Sequence, residues 1–529
     1  MDTKTLCKRF KKISSDRAVI ESHWQDISRH FLPERYSTLV KQVPGQQFDT
    51  NMYDTTGMHA LQIMASGIHG YLTNPSDRWF MLSVGEGYGA ETDKWLNRVS
   101  QLIFDTLNQS NFSEQIHEAY LDLVSFGTAS FYVQEGTGEE DVVYYARPIA
   151  EIYLLENSSG QVDTVFRKVE MTARQAKQRF GDNPGETASK ALKANKPEED
   201  IEYLHVVLPR EERDTKKKDS SNMPFASVWI DHKTSEQVSE GGYREFPFMI
   251  PRYSKTTGHA YGYSPCMLAL PEVRMCQEMS KTLLKAAQKL VDPPIVLPDD
   301  GYLLPFDTTP GAVNFKNASV QSDLDVLQLP HQLPIGDDML NQRRKQIRDL
   351  LFTDLFLMLA ALRDKQMTAK EVAERVSERM IILAPVLGRL TRELLKPVIE
   401  RTLSILFRAG KIPEPPAELQ GQETQVEFIS PLAQAQKSAK VGSINEMMMI
   451  VSQMAAAIPE VIDTINGEEV VREIGAVYNL QHLLRSDKEV EEIQQMRKEA
   501  QQRQMMLEQG LEASRIGKNA AESEEKLRG

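Results

Sequence analysis

Apolar positions recur at helical spacing through residues 16–31, 55–72, 92–107 and 113–126, which predicts a mostly helical opening punctuated by Pro33, Pro44 and Pro75. From residue 128 to 169 the period shortens to that of strands. The runs "ASFYV", "DVVYYA" and "DTVFRKVEM" are β-branched and aromatic, and "EGTGEED" and "NSSGQ" between them read as turns. A helix follows at "TARQAKQRF", opened by a capping box between Thr172 and Gln175. Strand patterning returns at "IEYLHVVL", "FASVWID" and "FPFMIPRYS", around a polar insert at residues 211–222 that reads as a solvated loop.

The string "PEVRMCQEMSKTLLKAAQKLV" (residues 271–291) predicts a long helix stopped at Asp292, because a residue before proline avoids α geometry and Pro293 and Pro294 favour extended chain. A Pro-, Gly- and Asp-rich excursion follows, and a second helix opens near Asp337 and runs to Leu362. Two long helices bracketing a compact excursion suit an antiparallel pair. Next comes a charged seam, "LRDKQM". The apolar run before it, residues 355–362, falls far short of the roughly 20 residues that a bilayer span needs, so the seam joins two helices of a soluble protein.

The next helix is sharply specified. Thr368 and Glu371 form a capping box, and Met367 with Val372 a hydrophobic staple. Its stripe, Val372, Val376, Met380, Leu383, Leu387, Leu390 and Leu394, buries one long face, and Pro385 and Pro397 are expected to kink it. Carried to Phe407 it would reach about 60 Å at about 1.5 Å per residue. "RAGKIPEPPAELQG" reads as a linker. Beyond it lie Met-rich helical stretches, in which Met447, Met448 and Met449 are expected to be deformable core filler, and then a polar helical tail.

The bulk numbers narrow the class. With 529 residues, 41% of them hydrophobic, the chain can bury ordinary cores. A net charge of -13 argues against a whole-surface grip on nucleic acid, which relies on Lys and Arg displacing counterions. Acidity suits a conduit along which a duplex slides. Three cysteines, Cys7, Cys266 and Cys276, give no disulfide framework and no metal-binding spacing, so they read as buried free thiols. The basic, polar start carries no secretory leader pattern, and cytoplasmic residence is expected.

Motifs for catalysis are weak. "GEGYGA" (residues 85–90) satisfies G-x-G-x-x-A after a strand-like run and before a helix, yet a helical stretch follows where a second parallel strand is required. "RIGKN" lacks the first glycine and the Ser or Thr of a phosphate-binding loop. His59 and His69 read as structural histidines. The basic residues are more suggestive: Lys281, Lys285 and Lys289 recur every four positions on the first of the paired helices, Arg343, Arg344, Lys345 and Arg348 cluster on the second, and Arg363 and Lys365 flank Asp364 in the seam.

Three long strings, "YDTTGMHALQIMASGIHGYLTNPSDRWFML" (residues 53–82), "GYSPCMLALPEVRMCQEMSKTLLKAAQKLVDPP" (262–294) and "LRDKQMTAKEVAERV" (362–376), resemble the portal, or head-to-tail connector, proteins of short-tailed bacteriophages. The resemblance implies an α+β, predominantly helical subunit assembling into a dodecameric ring around double-stranded DNA. Its parts would be a wing (1–262, β-rich over 128–255), a first stem helix (263–293), a clip (294–336), a second stem helix (337–361) and a channel loop (362–367). A long kinked helix (368–409), a linker (410–430), a crown (431–486) and a polar tail (487–529) would follow.

Arg363, Lys365 and Gln366 would then face the DNA, the stem would carry the basic residues above, and Tyr302 and Phe306 are plausible clip anchors for partners. The resemblance implies no catalysis, cofactor or metal. It implies a place at the portal vertex of the virion after assembly in the host cytoplasm. Implied partners are the terminase large subunit, tail adaptor and tail proteins, scaffolding and major capsid proteins and internal core proteins, with no membrane. Two rival readings remain: a cytoplasmic enzyme using a nucleotide-binding loop at Gly85 to Ala90, and a coiled-coil scaffold.

Overall fold

The computed structural model describes residues 2–35, 52–84, 90–136, 138, 140–217, 219–292, 295–296, 307, 315, 325–326, 333–361, 382–419, 424–429, 444–454, 466–477 and parts of 490–503. Two units form: Met1–Trp79 with Gln101–Ile412, and Phe80–Ser100 with Pro413–Gly529. The chain opens with helices α1 (Thr3–Phe31), α2 (Thr56–Leu72), α3 (Ala90–Gln109) and α4 (Phe112–Phe126), with strand β1 (Phe80–Ser83) after α2. Helix α1 starts well before residue 16. The Asp2 carboxylate caps it by accepting from the Lys4 N–H at 3.1 Å, and Leu6, Cys7 and Phe10 are buried from its first turns.

Next come β2 (Ser130–Glu135), β3 (Val142–Arg147), β4 (Ile152–Glu156), β5 (Val162–Thr172), α5 (Ala173–Phe180), α6 (Glu186–Lys193), β6 (Asp200–Pro209), β7 (Phe225–Asp231), β8 (Glu236–Tyr243) and β9 (Phe248–Met249). Strands β4 to β8 make a five-stranded antiparallel meander in chain order, and β3-β2-β9 a smaller antiparallel sheet. Alternation gives the meander two apolar faces. One packs Phe166, Leu204, Val206 and Val228 against Leu6, Cys7 and Phe10 of α1. The other packs Tyr203 and Trp229 against Ala173, Ala176, Ala188 and Ala191, small residues that let α5 and α6 approach closely. The Thr172 and Gln175 capping box forms as expected.

The rest of the first unit comprises α7 (Pro265–Val291), the antiparallel pair β10 (Ile295–Val296) and β11 (Asp325–Val326), α8 (Leu333–Leu350) and α9 (Thr353–Ala361). A helix over residues 382–390 then passes through a π-helical turn, Thr391–Leu395, into α10 (Lys396–Arg408). The π turn sits just before Pro397, which lacks an N–H and crowds the carbonyl four residues back, so a widened turn relieves both problems. Pro385, also expected to kink the helix, lies near the start of the helix over residues 382–390, and the turn before it lies outside the described residues. Leu383, Leu390 and Leu394 are buried, as the stripe requires. The capping box at Thr368 and the stripe's first members lie outside the described residues.

Three expectations need correction. The second of the paired helices is not continuous to Leu362: it breaks at Leu351 and Phe352, where Phe352 takes a left-handed φ of 51°, so that Leu355 and Phe356 can turn inward in α9. The Phe356 ring lies against the backbone of α2 at Gly67, where a Cβ would meet it. Within the second unit, part of the linker is a strand, β12 (Gln425–Phe428), antiparallel to β1. There too Met447, Met448 and Met449 are not core filler but 39–64% exposed on a helix over residues 444–454.

The start of α7 is fixed by a close backbone crossing. Gly127 ends α4 in the left-handed region, φ 79°, and its carbonyl accepts from the Tyr253 N–H at 2.9 Å. Each of Gly127 and Gly262 would place a Cβ within 2.5 Å of the other's carbonyl oxygen. Beside them the Ser264 hydroxyl donates to the Ser125 carbonyl at 2.7 Å and caps α7 by accepting from Met267 N–H at 3.0 Å. Gly127→Ala, which adds both left-handed strain and a backbone clash, is expected to cost about 1–3 kcal/mol. Thermal denaturation should show a clear drop in melting temperature, and an unchanged midpoint would contradict the tight crossing.

Candidate functional site

Helices α7 and α8 form the antiparallel pair that the sequence suggested. Arg343 on α8 faces Glu272 on α7 at 3.2 Å, and farther along Gly336 packs against Leu283, where any Cβ would come within 2.7 Å of Leu283 Cδ2. At the far end α7 stops at Asp292, and β10 and β11 pair the two arms of the excursion.

One end of the pair is rooted. Cys266, Ala269, Leu270, Val273, Cys276 and Gln277 are buried in α7. Burial pushes the Cys276 thiol up to about 11 and raises Cys266 well above its ordinary value, so both stay protonated. The Gln277 amide reads the backbone of the segment before α2: its Oε1 accepts from the N–H groups of Tyr53 at 2.7 Å and Asp54 at 3.0 Å, and its Nε2 donates to the Asp54 carbonyl at 2.5 Å. The Asp54 carboxylate accepts from the Thr56 N–H at 2.9 Å and from Arg344 Nε, on α8, at 2.8 Å. Thus one three-residue segment ties α2, α7 and α8 together. Burial alone would raise Asp54, but the Thr56 N–H and Arg344 outweigh it and hold the carboxyl below its ordinary value.

The helix of residues 382–408 is rooted as firmly. In its π turn Glu393 accepts from the Arg252 N–H at 3.0 Å and Nη2 at 2.9 Å, while Arg252, 3% exposed, also pairs with Glu156. Arg401 of α10 donates to the Val133 carbonyl at 2.9 Å and to the Glu245 carbonyl at 3.0 Å, and Thr402 bonds Tyr144 at 2.8 Å.

The proposed basic residues therefore divide. Arg343 and Arg344 are spent on Glu272 and Asp54, and Lys281 lies 5.9 Å from the centre of the Tyr53 ring. Lys285, Lys289 and Arg348 are exposed and make no ion pair among the described residues. Arg363, Lys365, Gln366, Tyr302 and Phe306 lie outside the described residues. Asp54 and Gln277 were missed. Asp54, two residues before a helix start, carried a capping signal, whereas nothing marked Gln277.

The rival readings find no support among the described residues. Loop residues 85–89 lie outside the described residues, but β1 before them pairs antiparallel with β12, not within the parallel sheet that a dinucleotide fold requires. His69 bonds Thr73 at 2.8 Å and Ser113 at 3.2 Å, a structural histidine whose pKa burial and His117 pull down to about 4, so that it is neutral at pH 7. Among the described residues no cluster of His, Cys, Asp and Glu can hold a metal ion, and no helix is long and apolar enough to cross a membrane.

Comparison with known proteins supplies the biological frame. Residues 3–482 match a family model described as bacteriophage head to tail connecting protein. The chain is 32% identical over 482 residues to the probable portal protein of Bordetella phage BPP-1, covering 88% of this chain and 86% of that one. It is also 32% identical over 486 residues to the portal protein of Salmonella phage epsilon15, covering 88% and 85%.

The root of the helix pair has a pH signature. Because the Asp54 carboxyl is held below 3.8 in the fold, its contribution is fully present above that value and lost as pH falls through it towards the lower folded value. Asp54→Asn, which loses the charge opposite Arg344, is expected to cost about 1.5–3 kcal/mol at pH 7. The gap between variant and wild type in chemical denaturation should close as pH drops below 3.8; a pH-independent gap would refute the charged pairing.

Proposed function

This chain belongs to the bacteriophage head-to-tail connecting protein family and acts as a phage portal, and from that premise we propose that its copies form a ring, a dodecamer by analogy, around a channel for double-stranded DNA. The observation that most supports the ring is the helix pair, rooted at one end and carrying, beyond that root, apolar side chains left exposed among the described residues. Leu284, Val291, Ile335 and Met339 are 48–87% exposed there in the single chain. Apolar rows of this kind are costly in water and are relieved when neighbouring copies cover them. The pair would be the stem, the excursion between its arms the clip, and the seam at residues 362–367 the channel loop.

In this reading the channel works by weak attraction. Rings of Arg363 and Lys365, with Gln366 beside them, meet the phosphates, and the net charge of -13 limits the total grip, so the duplex is centred without being held. The portal supplies no energy of its own. A docked terminase large subunit drives packaging, and tail adaptor and tail proteins replace it on the clip, with Tyr302 and Phe306 as anchors. Scaffolding, major capsid and internal core proteins contact the outer and inner parts, and the assembled ring resides at one vertex of the virion.

Two substitutions separate loop from stem. Arg363→Ala with Lys365→Ala should leave assembly intact and change packaged DNA length or retention; unchanged length and retention would remove the loop from this role. Lys285→Ala with Lys289→Ala should reduce the salt dependence of DNA retention if these lysines meet phosphate. An unchanged salt slope would turn that face away from the duplex.

A further inference from the structure

Three arginines gather beside the sheet face that carries α5 and α6. Arg167 on β5 stands in register with His205 on β6, and His205 with Trp229 on β7. The His205 and Trp229 rings stack with centres 4.2 Å apart and planes 8° from parallel. Arg179, in the last turn of α5, lies 4.3 Å over Trp229. The smaller sheet brings in the third: Arg147 lies 4.1 Å from the centre of the Tyr145 ring and 5.7 Å from that of Tyr132. Tyr132 packs on Phe248 at 4.7 Å, and Phe248 lies 6.2 Å from His205, which joins the two sheets at this point.

The charges here do not balance. Glu151 pairs with Arg167 at 2.8 Å, but Arg147 and Arg179 make no ion pair among the described residues. The Arg147 Nε is shielded from solvent and has no hydrogen-bond partner among them. Burial, and then the neighbouring Arg167, pull Arg147 down to about 10. Burial and the same three guanidiniums keep His205 neutral, so it adds no fourth positive charge. A guanidinium stacked on an aromatic ring keeps its edge N–H groups for acceptors lying in its plane, the geometry that suits a carboxylate or phosphate. A buried donor left unmade is costly, and an oxyanion would satisfy it.

We propose that Arg147, Arg167 and Arg179 form an oxyanion site that takes one carboxylate or phosphate group against the N–H edge of Arg147. Trp229 and Tyr145 hold two of the guanidiniums in place by stacking. A phosphate ion and an acidic side chain of a second copy of this chain share the required chemistry. The site does not depend on the ring or channel reading.

Inorganic phosphate is the probe. Titration of the purified full chain at constant ionic strength, followed by calorimetry, is expected to show one saturable site per chain. Arg147→Gln and, on the exposed rim, Arg179→Gln should each weaken it at least about tenfold, the scale of one charge-assisted hydrogen bond. Lys217→Gln, on the exposed loop, should bind as wild type. Affinity that falls as protein concentration rises would identify a carboxylate of a second copy as the competing occupant, and affinity independent of concentration a free ion; both support the site. Non-saturable binding, or wild-type affinity in both arginine variants, would overturn it, and because Arg179 is exposed its variant keeps the test open if Arg147→Gln does not fold.

Discussion

A pair of helices can stand out from a protein only if one end is held, and here the hold is the Asp54 carboxylate. It is 5% exposed, and a charge so placed requires partners that supply both hydrogen bonds and opposite charge. Thr56 and Arg344 provide them, while Gln277 grips the adjoining backbone from the other helix. The consequence runs outward along the pair. Near the root α7 buries Val273 and Cys276; toward the tip Leu284 and Val291 face water. The same local contacts that stabilise one chain leave an apolar surface that, in the proposed ring, a neighbouring copy would cover.

Elsewhere, among the described residues, the buried cations are arginines. Arg17 donates to the carbonyls of Ile149 at 3.1 Å and Ala150 at 2.7 Å, Arg252 joins Glu156 to Glu393, and Arg401 fastens α10 to the small sheet. A planar guanidinium can satisfy several fixed acceptors at once, whereas a lysine ammonium is more strongly hydrated. Lys285 and Lys289 stay at the surface accordingly. In the proposed channel this division would let arginines stiffen the frame and leave lysines for weak, exchangeable contact.

Much of this fold was legible from periodicity. The strand "FASVWID" and the helix over residues 55–72 emerged within a residue of their observed limits because the one is a short aromatic and β-branched run, buried on both faces, and the other keeps an unbroken 3.6-fold spacing. Strand β8 was missed, since "EQVSEGGY" is an edge strand with polar and glycine positions where alternation should show. The break at Phe352 was invisible because Leu350, Leu351 and Leu355 extend a helical pattern, and only packing against Gly67 reveals the change of direction. The site was half legible. Basic spacing marked Arg343 and Arg344, but charge patterning cannot tell a solvated row from a buried ion pair, and the partners, Glu272 and Asp54, lie far away in sequence.

In the proposed assembly the helix pair would be one stave of an annulus that guides DNA without driving it. Electron micrographs of the purified, monodisperse protein test this most directly. Closed rings with a central opening wide enough for a duplex are the expected result. Uniform particles without a hole, whether compact globules or rods, would contradict it.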